Sequence, residues 1–274
     1  GMRLLFSRLQ SWFSMLRSDP VGFIVYLLYL VVTVLLSLIL HEIAHGYVAY
    51  RCGDPTAKMF GRLSLDPRKH LDPLGTICMF AFGIGWAKPV PVNPRNFRNY
   101  RRDDFLVSIA GIVMNLTLFI LTTALAVGVN GLMFDRSFLT DIKEYYGSLD
   151  LLLNPYSSSV GTAITYGLTT SDMTSVMTHP WLMYVQRFLL NMATINLSLA
   201  VFNLLPIPPL DGYHLFNDLL LRGKLQLSQR AFTIAQVALL AVCFSGILNT
   251  LLSYVNTNVF GAVLHLFLLI TGGA

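Results

Sequence analysis

His41, Glu42 and His45 spell HEIAH at the end of a long uncharged run. On a helix, residues i and i+4 share a face, so both imidazoles can reach one metal ion. Glu42 lies about 100° round the helix from His41, at the edge of that face. From there its carboxylate can reach a water held by the metal. Two imidazole ligands with an adjacent carboxylate base are the parts of a zinc hydrolase. Zinc lowers the pKa of its water to about 7, and the carboxylate completes the deprotonation. HExxH alone arises by chance. Here, though, three ionisable residues close an apolar run, and a charge at bilayer depth costs roughly 2.5 kcal/mol or more, so they need a compensating role.

A catalytic zinc site usually takes three protein ligands and a water. The best third candidate lies in Asn203-Leu-Leu-Pro-Ile-Pro-Pro-Leu-Asp211-Gly212. Pro206, Pro208 and Pro209 stop a helix by removing donors and fixing φ. The chain can then turn Asp211 inward, with Gly212 permitting an unusual backbone angle. A plain helix-ending turn is the alternative reading of this segment.

These residues need elements to hold them, and the composition says what those are. The chain has 274 residues, 54% hydrophobic and 12% charged, with mean hydropathy +0.61. So few charges cannot coat a soluble globule of this size, so much of the surface must face lipid. Uncharged or nearly uncharged runs of spanning length cover about 21–50, 105–130, 181–205 (interrupted by Arg187) and 232–255. A shorter run, 259–271, follows the polar residues Asn256, Thr257 and Asn258. Residues 1–20 mix apolar and basic positions at near-helical spacing, which suits a helix lying flat on the membrane surface.

Ten of the 19 Lys and Arg fall between Arg51 and Asp104, and Arg222, Lys224 and Arg230 follow the third span. The intervening connection, Gly131 to Pro180, holds only Arg136 and Lys143. Basic loops stay cytoplasmic, so both proposed ligand groups lie toward that side of their spans. The net charge of +5 is then a matter of topology and lipid attraction, not of nucleic-acid binding. Cys52, Cys78 and Cys243 form no CxxC pair and are expected as free packing thiols.

Leu74–Trp86 is apolar and glycine-rich, and AKPVPVNP follows it. Non-helical backbone at a membrane needs cover or partner strands. A β-hairpin or re-entrant region over about 74–94 is therefore expected at the membrane edge. The expected architecture is an all-α polytopic membrane protein of four to five transmembrane helices with that small β element. It comprises an amphipathic segment 1–20, a core 21–255 and a short apolar segment 256–274.

HEIAH within a span, NLLPIPPLDG at Asn203–Gly212, and AGIVMN at Ala110–Asn115 together resemble the site-2 protease family of intramembrane zinc metalloproteases. Gly53–Thr76 resembles its short bacterial and archaeal branch, found in the plasma membrane. The resemblance covers roughly Leu35–Leu221, and it is the combination of motifs that is specific. It implies one zinc bound by His41, His45 and Asp211, Glu42 as general base, and Asn115 and Asn203 contacting the backbone of a transmembrane protein or peptide substrate. Gly111 is the glycine of a GxxxN element that usually carries Pro at the next position, where this chain has Ile112. Nothing resembles the PDZ or CBS modules common in relatives.

His70, in RKHLDP, could line the site, bind a second metal or simply be a loop histidine. Either Asn could equally make an interhelical hydrogen bond. Two rivals stay open. One is a membrane zinc protease of another class with a Glu third ligand. The other is a metal carrier, for which Glu42 would be dispensable.

Overall fold

The computed structural model describes residues 2–73, 75–77, 87–157, 159–222 and 224–274. Helices account for most of them. In chain order they are α1 (Met2–Ser18), α2 (Pro20–Arg51), α3 (Thr56–Met59), α4 (Tyr100–Met133), α5 (Arg136–Tyr146), α6 (Asp150–Leu153), α7 (Val160–Tyr166), α8 (Ser171–Ser175), α9 (Leu182–Asn203), α10 (Asp211–Leu220), α11 (Gln229–Ser245) and α12 (Ile247–Thr271). Pro73 and residues 75–77 are also helical.

Four of these, α2, α4, α9 and α12, are long and apolar enough to cross a membrane. At about 1.5 Å per residue, the 32 residues of α2 extend roughly 48 Å, well beyond a hydrocarbon core of about 30 Å. The helix therefore has a full span before HEIAH and still holds that motif in helical register. Outward-facing side chains on the spans are apolar: Val21, Leu28, Leu125 and Ile270 are all exposed. Inward-facing ones include Thr33, Ser37, Asn115, Gln186 and Asn196, all buried. This inside-out distribution suits lipid, which solvates apolar side chains and leaves polar ones to find partners between helices.

The chain divides into two compact units. One comprises residues 1–18, 35–116 and 198–252 and carries all the proposed site residues. Within it, α10 packs on α4 and the end of α9 through Leu215, Ile112 and Ala200, with Phe105, Ile109 and Leu116 around them. A second cluster joins Leu210, Leu239, Cys243 and Leu248. Cys52 and Cys243 are both buried free thiols. The other unit comprises 19–34, 117–197 and 253–274. It is held by the Phe119–Phe260 ring pair, centroids 5.9 Å apart, and by Gln186 Nε2 donating to the Ala126 carbonyl at 2.9 Å.

Two sequence expectations need correction. The described residues contain no sheet and therefore no β-hairpin. Only the isolated bridge Leu71–Ala87 occurs in that region, beside a Lys88 N–H donated to His70 O at 2.7 Å. Residues 73 and 75–77 are helical, and 87–93 run without regular structure. Pro89 and Pro91 lack the N–H a ladder would need. Residues 74 and 78–86, the rest of the expected hairpin and Cys78 with it, lie outside the described residues.

The second correction concerns the C-terminal run. Its break falls at Gly246, which takes φ +83° to cap α11, and not at 256–258. Helix α12 runs straight through those polar residues because Thr257 Oγ1 and Asn258 Nδ2 bond back to the carbonyls of Ser253 and Tyr254. Segment 259–271 is thus the second half of a 25-residue helix.

Asp218 in α10 is buried, and one carboxyl oxygen has no hydrogen-bond partner among the described residues. Burial, with the charge of Asp104 beside it, pushes its carboxyl up to about 6. Folding therefore favours the protonated form, and stability from this group is lost as the pH rises through about 6. Asp218→Asn should raise the melting temperature near neutral pH, and the gain should shrink below pH about 6. Thermal melts across that range check this, and a pH-independent gain would contradict it.

Candidate metal centre

Helix α2 delivers His41 and His45 one turn apart, with ring centroids 4.7 Å apart and nearly perpendicular planes. Both are buried. Each ring is held from behind. His41 Nδ1–H donates to Asn115 Oδ1 at 2.6 Å, and His45 Nδ1–H donates to the Val107 carbonyl at 2.7 Å. A neutral imidazole with its proton on Nδ1 presents a bare lone pair at Nε2. Both acceptors lie on α4, so that helix sets the tautomer and aim of both histidines.

The approach of α4 depends on Gly111. A Cβ there would stand 2.4 Å from both His41 Cε1 and His45 Nε2, closer than any real contact. In the Ala110–Asn115 motif, the glycine thus makes room for the rings and the asparagine orients one of them.

The carboxylate arrives from the other side of the sequence. Helix α9 ends at Asn203, the proline-rich segment turns, and Asp211 opens α10. A carboxylate in the first turn of a helix is favoured by the helix dipole. The turn is tight: a Cβ on Gly212 would meet the Leu205 carbonyl oxygen at 2.4 Å. Asp211 Oδ2 lies 3.2 Å from His41 Nε2 and 3.2 Å from His45 Nε2, and the two Nε2 atoms are 3.1 Å apart.

The fit to a metal follows from the donor set. Two imidazole lone pairs and a carboxylate oxygen converge on one point, and His Nδ1 protons already serve Asn115 and Val107. Zinc–ligand bonds of 2.0–2.1 Å at tetrahedral angles separate neighbouring ligand atoms by about 3.3 Å. The triangle here has nearly that edge. Among the described residues, His41, His45 and Asp211 form the group able to hold a metal ion.

Glu42 sits beside this triangle, half-buried, and its Oε2 accepts the Val90 N–H at 3.0 Å. Val90 belongs to the proline-rich run at 87–93, which other side chains pin. Arg62 donates to the carbonyls of Lys88 at 2.6 Å and Pro89 at 3.2 Å. Asp54 accepts the Asn93 N–H at 2.7 Å. Sequence reasoning passed over Arg62 and Asp54 as members of a basic loop. It could not find the Val107 carbonyl, because a backbone acceptor has no residue signature.

The remaining candidates sit elsewhere. Asn203 Nδ2 donates back to the Leu199 carbonyl at 3.0 Å on its own helix. His70 is buried, not a solvated loop residue, with Nε2 on the Ser64 carbonyl at 2.7 Å. It lies outside the metal-binding group.

The four apolar helices and this ligand triangle define an integral-membrane metalloprotein with the parts of a hydrolase. The sequence profile of peptidase family M50 matches residues 29–246. Over 195 residues the chain is 40% identical to YwhC of Bacillus subtilis, a protein named as a zinc metalloprotease, spanning 71% of this chain and 70% of that one. Over 209 residues it is 27% identical to Rip2 of Mycobacterium tuberculosis, also named as a zinc metalloprotease, spanning 74% of this chain and 61% of that one. No solved structure matches the chain. The chain belongs to peptidase family M50, the site-2 proteases, and is a zinc metalloprotease.

Asn115→Ala should lower zinc affinity about 10- to 100-fold by freeing the His41 ring. Gly111→Ala should lower it further, although Ala is the better helix former, because the added methyl displaces both Nε2 atoms. Zinc retention under chelator competition measures both. Wild-type retention in Gly111→Ala would contradict the close approach of α4.

Proposed function

We propose that the chain cuts peptide bonds of transmembrane protein or peptide substrates, with His41, His45 and Asp211 as zinc ligands and Glu42 as general base. The observation that carries the reading is the posture of Glu42. One of its oxygens is anchored by the Val90 N–H, and the other accepts no hydrogen bond among the described residues. The carboxylate is therefore oriented beside the ligand triangle and keeps an oxygen for a proton. Bound zinc supplies Lewis acidity toward water and a peptide carbonyl. Asn115 and the Val107 carbonyl keep the imidazoles aimed while Glu42 accepts the proton and later passes it to the leaving amine.

A transmembrane helix buries its carbonyls in its own hydrogen bonds, so it must unwind before it can be cut. The run at 87–93, clamped by Arg62 next to Glu42, supports main-chain pairing with an unwound substrate. Asn203 and Asn115 are the amides proposed to contact its backbone. For Asn115 this role adds to the bond it makes with His41.

The density of Lys and Arg between Arg51 and Asp104 supports a site on the cytoplasmic side of a prokaryotic plasma membrane. An impermeant thiol reagent added to intact cells should then label a cysteine placed at exposed Tyr145 and spare one at exposed Arg95. The reverse pattern would invert the topology.

Glu42→Gln should keep about one zinc per chain and lose at least ~10²-fold in cleavage of a transmembrane reporter. Asp211→Ala should lose the zinc as well. Undiminished cleavage by Glu42→Gln would remove Glu42 as the general base.

A further inference from the structure

Arg187 is the one charged residue in α9. It is only 7% exposed and has no carboxylate partner among the described residues. Its guanidinium carbon lies 4.4 Å from the centroid of the Tyr29 ring. Tyr29 offers only that face, because its hydroxyl donates to the Tyr184 carbonyl at 2.9 Å. Arg187 Nε is buried with no hydrogen-bond partner among the described residues. Neither outer nitrogen donates a hydrogen bond to any described residue. A guanidinium carries five N–H donors and cannot shed its charge. The cation is thus supported on its π face and unsatisfied around its edge.

The seat is built for it. Gly167 caps α7 with φ +72°, and a Cβ there would stand 2.5 Å from Arg187 Nη1. Any side chain at 167 would occupy the place of the guanidinium. Asn191, one turn along α9, ties the two segments together by donating to both the Arg187 and the Thr165 carbonyls. Ring, glycine and amide hold the guanidinium in place, and none of them satisfies its donors.

Depth identifies what could. Trp181 and Tyr184, both well exposed, mark the start of α9 in the manner of an interfacial aromatic belt. The Arg187 Cα lies about 9 Å below Trp181. Helical side chains lean toward the N-terminus, and long basic ones snorkel, so the guanidinium climbs back toward the belt. The phosphates of the lipid headgroups lie at that level. A planar donor fork matches a phosphate oxygen pair.

We propose that Arg187, seated on Tyr29 against Gly167, is a binding site for the phosphate of an anionic phospholipid. The lipid completes the second compact unit by satisfying its unpaired cation.

The test uses the zinc-loaded full chain in neutral detergent, titrated with dioleoylphosphatidylglycerol or dioleoylphosphatidylcholine and read by native mass spectrometry. Wild type should retain one phosphatidylglycerol per chain. Arg187→Gln should bind it about tenfold more weakly with zinc content unchanged, and Arg187→Lys should fall between. Phosphatidylcholine should bind all three alike. Equal phosphatidylglycerol retention in zinc-loaded wild type and Arg187→Gln would overturn the proposal and leave a hydrated, snorkelled arginine. If Arg187→Gln instead weakens binding of a peptide with an acidic residue beside its apolar segment, with lipid retention unchanged, the site belongs to a peptide carboxylate and the proposal fails. If Arg187→Gln does not fold, melting of wild type and Arg187→Lys decides. Phosphatidylglycerol should raise the wild-type melting temperature more than phosphatidylcholine does, and the lysine variant should lose most of that excess. Equal rises with the two lipids would overturn the proposal.

Discussion

Two imidazole lone pairs and a carboxylate oxygen aimed at one point about 3 Å apart repel one another unless a cation stands between them. Much of the first compact unit follows from that constraint. The histidines must be neutral with their protons on the far nitrogens, so α4 supplies an amide oxygen and a backbone carbonyl to receive them. The carboxylate must be ionised, so it stands in the first turn of a helix. Helix α4 must come close enough to reach both rings, so it carries glycine where any side chain would strike them.

The membrane sharpens these demands. In water a misplaced imidazole or carboxylate can be solvated, whereas in hydrocarbon each needs a partner supplied by the protein. The spans accordingly put apolar residues outward and polar ones inward, and α12 tolerates three consecutive polar residues because two of them bond to carbonyls one turn back. Arg187 is the exception, a buried cation to which the described residues offer a ring face and no acceptor.

Glu42 links the metal centre to the irregular run that follows the basic loop. Its bond to the Val90 N–H and the Arg62 clamp on the Lys88 and Pro89 carbonyls fix that run beside the ligand triangle. The prolines keep it from joining a sheet of its own. Main-chain groups next to Glu42 are therefore held in place without being consumed by a ladder.

Much of this was legible in the sequence. The 3.6-residue repeat puts His41 and His45 on one face whatever surrounds them, uncharged runs of spanning length mean helices in lipid, and prolines before Asp211 must end α9. These are local consequences of backbone geometry and solvent. Other features were not legible because they depend on partners remote in the chain. The carbonyl of Val107 carries no side-chain signal, and Asn115 could have faced substrate or ring until α4 was docked on α2. A hairpin was expected over 74–94, but its described residues 87–93 form no ladder, because Pro89 and Pro91 lack the N–H that one needs. The break at Gly246 and not at Asn256–Asn258 turned on whether polar side chains could bond to their own helix. Residue types and spacing thus determined the chemistry and the helices that carry it. Only the tertiary structure decided which groups orient the ligands, because orientation is set by contacts between segments that sequence order leaves far apart.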